Sequence, residues 1–208
     1  MLEAHDLAAQ RGHARLFAGI GFRVAPGHAL IVTGANGSGK TTLLRMLAGL
    51  SAPLAGVIRW LGNAIVPFDA RLRDAVLFAG HLPALKDELS AVENLASLVA
   101  LAGVRATEPM RAGALERVAL ARQRAFPARV LSQGQRRRIA LARLLLVPKP
   151  LWILDEPATA LDGDGVTLLT TIVRQHLDAN RCAVIATHQP LALPPERTTT
   201  LALDGPLP

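Results

Sequence analysis

The sequence predicts an α/β fold whose core is a mostly parallel β-sheet with helices on both faces. Three observations carry that prediction. Leu151-Trp152-Ile153-Leu154 and Cys182 to Ala186 are short, fully apolar runs, the pattern of strands buried on both sides in parallel sheets. Such runs alternate with helical segments along the chain. Between an apolar run and a helix-like segment lies Gly34-Ala35-Asn36-Gly37-Ser38-Gly39-Lys40-Thr41, which fits the phosphate-binding loop pattern. With 208 residues, 50% of them hydrophobic, the chain has material for one sizeable domain with a small inserted lobe.

The elements follow in order. Val24 to Val32, interrupted at Pro26-Gly27, reads as two strands joined by a turn, the second being Ala29 to Val32. After the loop, Thr42 to Gly49 reads as a helix, with Gly49 placed to cap its end. Pro53 to Gly56 has turn chemistry, and Val57 to Trp60 is the next strand. Ala75 to Ala79 is a short strand ending at Gly80-His81. From Leu82 to Arg129 the pattern turns to alanine- and leucine-rich helices, one of them opened by the capping box Ser90-Ala91-Val92-Glu93. Leu131-Ser132-Gln133-Gly134-Gln135 opens another helix, running to Leu146 and ended by Pro148 and Pro150. The buried strand 151–154 closes on Asp155-Glu156. A helix from Gly165 to Leu177, the strand 182–186 and a short proline-rich tail complete the chain. No internal repeat or low-complexity segment appears.

The chemistry concentrates in a few places. Glycines let a backbone wrap phosphate oxygens at φ values and distances that a Cβ forbids. The helix that follows presents unpaired N–H groups and a positive dipole end to an anion. Lys40 is placed to reach the β- and γ-phosphates, and the Thr41 hydroxyl to hold Mg²⁺, with Thr42 next in the helix. A glycine-rich turn that merely contains Lys-Thr is the plain alternative, and the flanking strand and helix argue against it. In an open α/β sheet, ligands lie beyond the carboxyl ends of the strands, so Asp155 and Glu156 face the loop. Asp155 suits Mg²⁺ through its water shell. Glu156 suits orienting and deprotonating an attacking water.

Leu131-Ser132-Gln133-Gly134-Gln135 resembles the signature motif of ABC-type ATPases, usually LSGGQ. Ser132 and Gln135 form a capping box on a helix whose N-terminus can point at an anion. The resemblance implies an ABC ATPase fold of the P-loop type, with an antiparallel N-terminal β part beside the parallel core and a small helical insertion. It implies a single domain over 1–208, with 1–81 and 130–208 as the nucleotide-binding core and 82–129 as the helical subdomain. It further implies a homodimer that sandwiches two ATP molecules, each signature helix contacting the γ-phosphate held by the other subunit. Thr159-Ala160-Leu161-Asp162 resembles the D-loop of that family. His188, just beyond a sheet strand, matches the switch histidine that contacts the γ-phosphate beside Glu156 and Lys40. Two positions depart from the pattern. The Q-loop glutamine is replaced by His81, a weaker mimic of an amide toward metal, and Arg11, with His13 nearby, stands where an aromatic residue normally underlies adenine.

His81 also narrows the resemblance. Gly80-His81-Leu82-Pro83-Ala84-Leu85-Lys86 followed by Leu89-Ser90-Ala91-Val92-Glu93-Asn94-Leu95 is similar to the CcmA family of bacterial cytochrome c maturation ATPases. Leu151 to Pro157 and Thr187-His188-Gln189-Pro190-Leu191 carry the same likeness. It implies a haem-exporter complex on the cytoplasmic face of the bacterial inner membrane. There two ATPase subunits sit under a CcmB-type membrane subunit, with CcmC, CcmD and the haem chaperone CcmE as further partners. The cofactors it implies are ATP and Mg²⁺.

Composition weighs against other classes. The net charge of +7 would suit nucleic acid or anionic lipid, yet aromatics are 3% and tyrosine is absent, which leaves base stacking poorly supplied. Arg136-Arg137-Arg138 reads as a solvated or nucleotide-facing helix start, and no nucleic-acid partner is expected. No apolar run reaches the ~18–20 residues of a membrane span, and Met1 to Asp6 lacks signal-peptide layout. One cysteine, Cys182, permits no intrachain disulfide and suits a small buried hydrophobe. Competing readings are an ABC ATPase for another solute, a soluble ABC protein acting on ribosome or DNA, and a small P-loop kinase. The last leaves the signature helix unexplained. An apolar helical insertion remote from the catalytic strands is where a membrane partner is expected to dock.

Overall fold

A computed structural model describes residues 1–203. Contacts within the chain sort it into two compact units, one made of Met1–Gly80, Lys149–Glu156 and Val173 onward, the other of His81–Pro148 and Pro157–Ile172.

The first unit contains two sheets. In one, β1 (Leu2–Arg11) and β2 (Ala14–Val24) form a long antiparallel hairpin, while β4 (Ala55–Trp60) pairs antiparallel with β1 and carries the short β5 (Asn63–Ala64). The other has β3 (Ala29–Gly34), β6 (Val76–Ala79), β7 (Leu151–Asp155), β8 (Cys182–Ala186) and β9 (Thr198–Leu203) in the order β6-β7-β8-β3-β9, with every pair parallel. The mixed α/β architecture expected from the sequence is therefore present. Leu2, Leu7, Phe17, Leu30, Val32, Leu43, Leu44, Ile58, Ile153 and Val184 pack in one core, each burial of such a side chain stabilising by about 1.5–3 kcal/mol.

Helix α1 (Lys40–Leu47) leads straight from the glycine-rich loop. It ends as the sequence reading placed it, in a Schellman motif. Gly49 sits at φ 69, its N–H donates to Met46 O at 2.9 Å, and Leu50 N–H donates to Arg45 O at 2.8 Å. Helix α2 (Ala70–Ala75), capped by Asp69, takes Ala75 away from the strand expected there, so β6 begins at Val76. Two further expectations change. Val24 is the last residue of an eleven-residue strand in the antiparallel sheet, so it is not a sheet partner of β3. The proline-rich tail is a strand from Thr198, paired along all of β3.

The second unit is helical. It holds α3 (Ala91–Leu101), α4 (Glu108–Arg117), α5 (Gln133–Leu146) and the first part of α6 (Gly163–Asp178). α5 packs on both α3 and α4, which groups 130–148 with the helices and draws the boundary differently from the 82–129 insertion. Both capping boxes form as read. Glu93 N–H donates to Ser90 Oγ and Ser90 N–H to Glu93 Oε2 at 2.8 Å, while Ser132 N–H donates to Gln135 Oε1 at 2.9 Å and Gln135 N–H returns to Ser132 Oγ at 3.2 Å. Buried Asn94 knits the preceding loop, accepting from Lys86 N–H at 2.8 Å and donating to Lys86 O and Leu89 O. No helix among the described residues is long and apolar enough to cross a membrane.

Candidate functional site

The glycine-rich loop links β3 to α1 at the carboxyl end of the parallel sheet. Its conformation requires its glycines. Gly34 has φ 141, and a Cβ there would lie 2.3 Å from Leu203 O and 2.8 Å from Ser38 Oγ. Gly39, the N-cap of α1, has φ 101, and a Cβ would press on the Phe17 ring at 3.0 Å. No side chain caps α1, so its first N–H groups are left for an anion. Ser38 Oγ is buried without a hydrogen-bond partner. Lys40 is 8% exposed, and its ammonium donates to Gly34 O at 2.7 Å and Ala35 O at 3.1 Å, which folds the charge over the loop. A cradle of free backbone donors, an orphaned hydroxyl and a held ammonium fits a polyphosphate.

Thr41 Oγ1 donates to Asp155 Oδ2 at 2.7 Å. Asp155 ends β7 and is 2% exposed. Two hard oxygen donors side by side suit Mg²⁺, which takes one or two protein oxygens and fills the rest of its octahedron with water and phosphate. Among the described residues no group of three or more His, Cys, Asp or Glu could hold a metal by itself. These donors therefore fit a phosphate-borne magnesium.

Glu156 follows in the left-handed region at φ 49, held by its N–H on Ala186 O at 2.9 Å. Such a conformation in a non-glycine residue costs about 1–3 kcal/mol and persists where the surroundings impose it. It turns the carboxylate toward His188, whose Nε2 lies 3.4 Å from Glu156 Oε1 and whose backbone N–H donates to Oε2 at 3.4 Å. The ring nitrogen has its hydrogen-bond geometry to Asn36 Oδ1 instead, at 3.2 Å. Glu156 Oε1 is thus a buried acceptor lacking a donor. The structure gathers Lys40, Thr41, Asp155, Glu156, His188 and the loop from Gly34 to Thr42. Arg11, and His13 with it, stands exposed at the β1–β2 turn, where Arg11 pairs with Ala14 across the hairpin. The aromatic ring under the loop is Phe17, a contact that no local pattern announces.

In the second unit, Ser132, Gln133 and Gly134 form the exposed or half-exposed start of α5, with Leu131 buried behind them. A Cβ on Gly134 would lie 2.9 Å from Ala160 O, so glycine allows the helix end to lie on the 159–162 turn. Asp162 caps α6 through Gly165 N–H at 2.9 Å and pairs with Arg138 Nη2 at 2.7 Å. The Gly165 amide first, and then Arg138, hold its carboxyl below the usual range. His81 has an exposed imidazole, and its carbonyl accepts from Arg137 Nη2 at 2.7 Å. The arginine triplet differs from the solvated or nucleotide-facing reading. Arg136 bridges Asp87, Arg138 bridges Asp162, and Arg137 is buried.

The ABC transporter family profile matches residues 17–159, from β2 through the turn after β7. A protein named cytochrome c biogenesis ATP-binding export protein CcmA from Nitrosomonas europaea is 48% identical over 193 residues, covering 93% of this chain and 91% of the relative. The protein of the same name from Pseudomonas aeruginosa is 45% identical over 201 residues, 97% of this chain and 99% of the relative. This chain belongs to the CcmA family of ABC transporter proteins. Both units lie within the CcmA match, including His188, which falls outside the broader profile. The fold of this chain is also that of an ABC transporter ATP-binding protein from Pyrococcus furiosus, with a TM-score of 0.82, 26% identity and 96% coverage of each chain. A dimeric ATP-binding cassette with bound ADP and phosphate shares it at a TM-score of 0.78 and 22% identity, covering 91% of this chain and 88% of that one.

Proposed function

We propose that this chain is the ATP-hydrolysing subunit of a membrane ABC complex for cytochrome c biogenesis, powering haem export or release of the haem-loaded chaperone CcmE. The observation that carries the hydrolytic part is Glu156, a buried carboxylate oxygen without a donor beside the Lys40–Thr41–Asp155 cluster. The close similarity to CcmA proteins supports the biological part.

In this reading the loop amides and Lys40 bind the β- and γ-phosphates of ATP. Bound Mg²⁺ supplies charge neutralisation of those phosphates. Thr41 and Asp155 hold it. Glu156 accepts a proton from the attacking water as its oxygen bonds to the γ-phosphorus, and the bond to the β–γ bridging oxygen breaks to leave ADP and phosphate. His188, oriented by Asn36, donates to the γ-phosphate. The reaction is completed by a second copy of the chain, whose Leu131 to Gln135 helix start meets that phosphate, with Asp162 at the junction. Arg11 lies against the base, and His81 serves at the Q-loop position.

The chain works as one ABC ATPase domain, peripheral to the cytoplasmic face of the inner membrane. Its docking surface for a CcmB-type subunit is the helical unit, where Leu82, Leu101, Met110 and Phe126 are exposed. CcmC, CcmD and CcmE are its further partners. Replacing the chromosomal gene with Glu156→Gln tests this: covalent haem attachment to c-type cytochromes should be lost while the complex still assembles. Intact cytochromes, or recovery of a solute permease with the tagged chain, would move the protein to another transport role.

A further inference from the structure

Arg137 lies in the second turn of α5 and is 7% exposed. A guanidinium taken out of water needs hydrogen-bond acceptors for its five donors, and two of them come from backbone far apart in sequence. Nη2 donates to His81 O at 2.7 Å and Nε to Thr159 O at 3.3 Å. One turn earlier, Gly134 closes on Ala160 O, and one residue later Arg138 pairs with Asp162. The start of α5, the 159–162 turn and the His81 backbone are therefore tied together inside the second unit. Helix stability does not account for this arrangement. The first turn of α5 has no acidic residue and three consecutive arginines follow, the reverse of what a helix dipole favours.

We propose that Arg137 is a positioning residue for ATP hydrolysis, holding the capped end of α5, the 159–162 turn and the His81 carbonyl as one rigid piece. The proposal rests on the hydrolytic reading above. Its chemistry is specific to arginine. The planar fork directs Nε–H and Nη2–H along one edge, so a single side chain serves two carbonyls at fixed separation. A lysine ammonium on a flexible stem is a single point of charge that cannot reproduce that pair of directions. When the helix end engages a phosphate, displacement of α5 is passed through the guanidinium to both other segments. Without it, each segment finds its place independently and the trans contact forms less often.

The test compares Arg137→Lys, Arg137→Gln and Glu156→Gln with the unaltered protein, each in the complex purified from membranes. Turnover, equilibrium affinity for ATP with Mg²⁺ and thermal midpoint are measured. Both Arg137 variants should lose at least tenfold in kcat while ATP affinity stays within twofold, and lysine should not rescue. A folded Arg137 variant with kcat within twofold of the unaltered protein overturns the proposal. So does a parallel loss of ATP affinity, or unfolding of both variants, since either assigns Arg137 to stability alone. Wild-type turnover in Glu156→Gln is a separate failure: it removes the hydrolytic reading itself, whatever Arg137 does.

Discussion

His176 should make this protein acid-sensitive. It is 3% exposed in α6, stacked on Trp152 with ring centroids 3.6 Å apart, and its Nε2 meets Cys182 O at 2.9 Å. Burial pulls its pKa from the ordinary 6.5 down to about 4, so the folded chain keeps the ring neutral where the unfolded chain protonates it. The unfolded state thus binds more protons below pH 6.5, and stability falls as pH drops from about 6.5 toward 4. Linkage with those two values gives a loss of about 2 kcal/mol between pH 8 and pH 5 from this residue alone. His176→Phe keeps a flat ring against Trp152 but cannot titrate. At pH 8 it should be less stable by about 1 kcal/mol, because the bond to Cys182 O is gone. Urea denaturation of both proteins at pH 8, 6.5 and 5 measures the difference. His176→Phe should lose about 2 kcal/mol less than the unaltered chain across that range. Equal losses in the two proteins would refute the assignment.

Other expectations concern the nucleotide site. Lys40→Ala removes the charge folded over the loop and should weaken ATP binding at least tenfold in equilibrium titration, with little effect on the thermal midpoint. Glu156→Gln should bind ATP normally, turn over roughly 100-fold more slowly and accumulate an ATP-dependent dimer on size exclusion. Gly34→Ala puts a Cβ 2.3 Å from Leu203 O at a φ of 141, so it should cost about 1–3 kcal/mol and weaken ATP binding together. Native stability in that variant would show that β9 yields easily.

The features legible in the sequence are those whose physics is local. Ser90 with Glu93, Ser132 with Gln135, and Gly49 after α1 each act through hydrogen bonds spanning three to five residues, and the structure forms all of them. The phosphate loop and the strands of β7 and β8 were equally readable, because burial on both faces leaves unbroken apolar runs. The N-terminal hairpin hid behind its bulges. Register shifts at Ala4/Leu7, Leu7/Ala9 and Ala9/Gln10 break the alternation that would announce β1, leaving triplets of buried residues separated by an exposed pair. α2 is too short for a helical period. The arginine triplet misled because its partners, Asp87, His81 and Asp162, are brought to it only by the fold. Phe17 beneath Gly39 was invisible for the same reason.

The late strand β9 has a practical consequence. It covers β3 from Ala29 to Gly34, the strand that delivers the chain into the phosphate loop. A version shortened to Pro194 would lay bare the main-chain donors and acceptors of β3 as an unguarded border, inviting intermolecular strand pairing. It would also withdraw the wall at Leu203 against which Gly34 bends. Clumping and loss of ATP retention should then arrive together, and an affinity handle is better carried on a surface loop than fused directly after this strand.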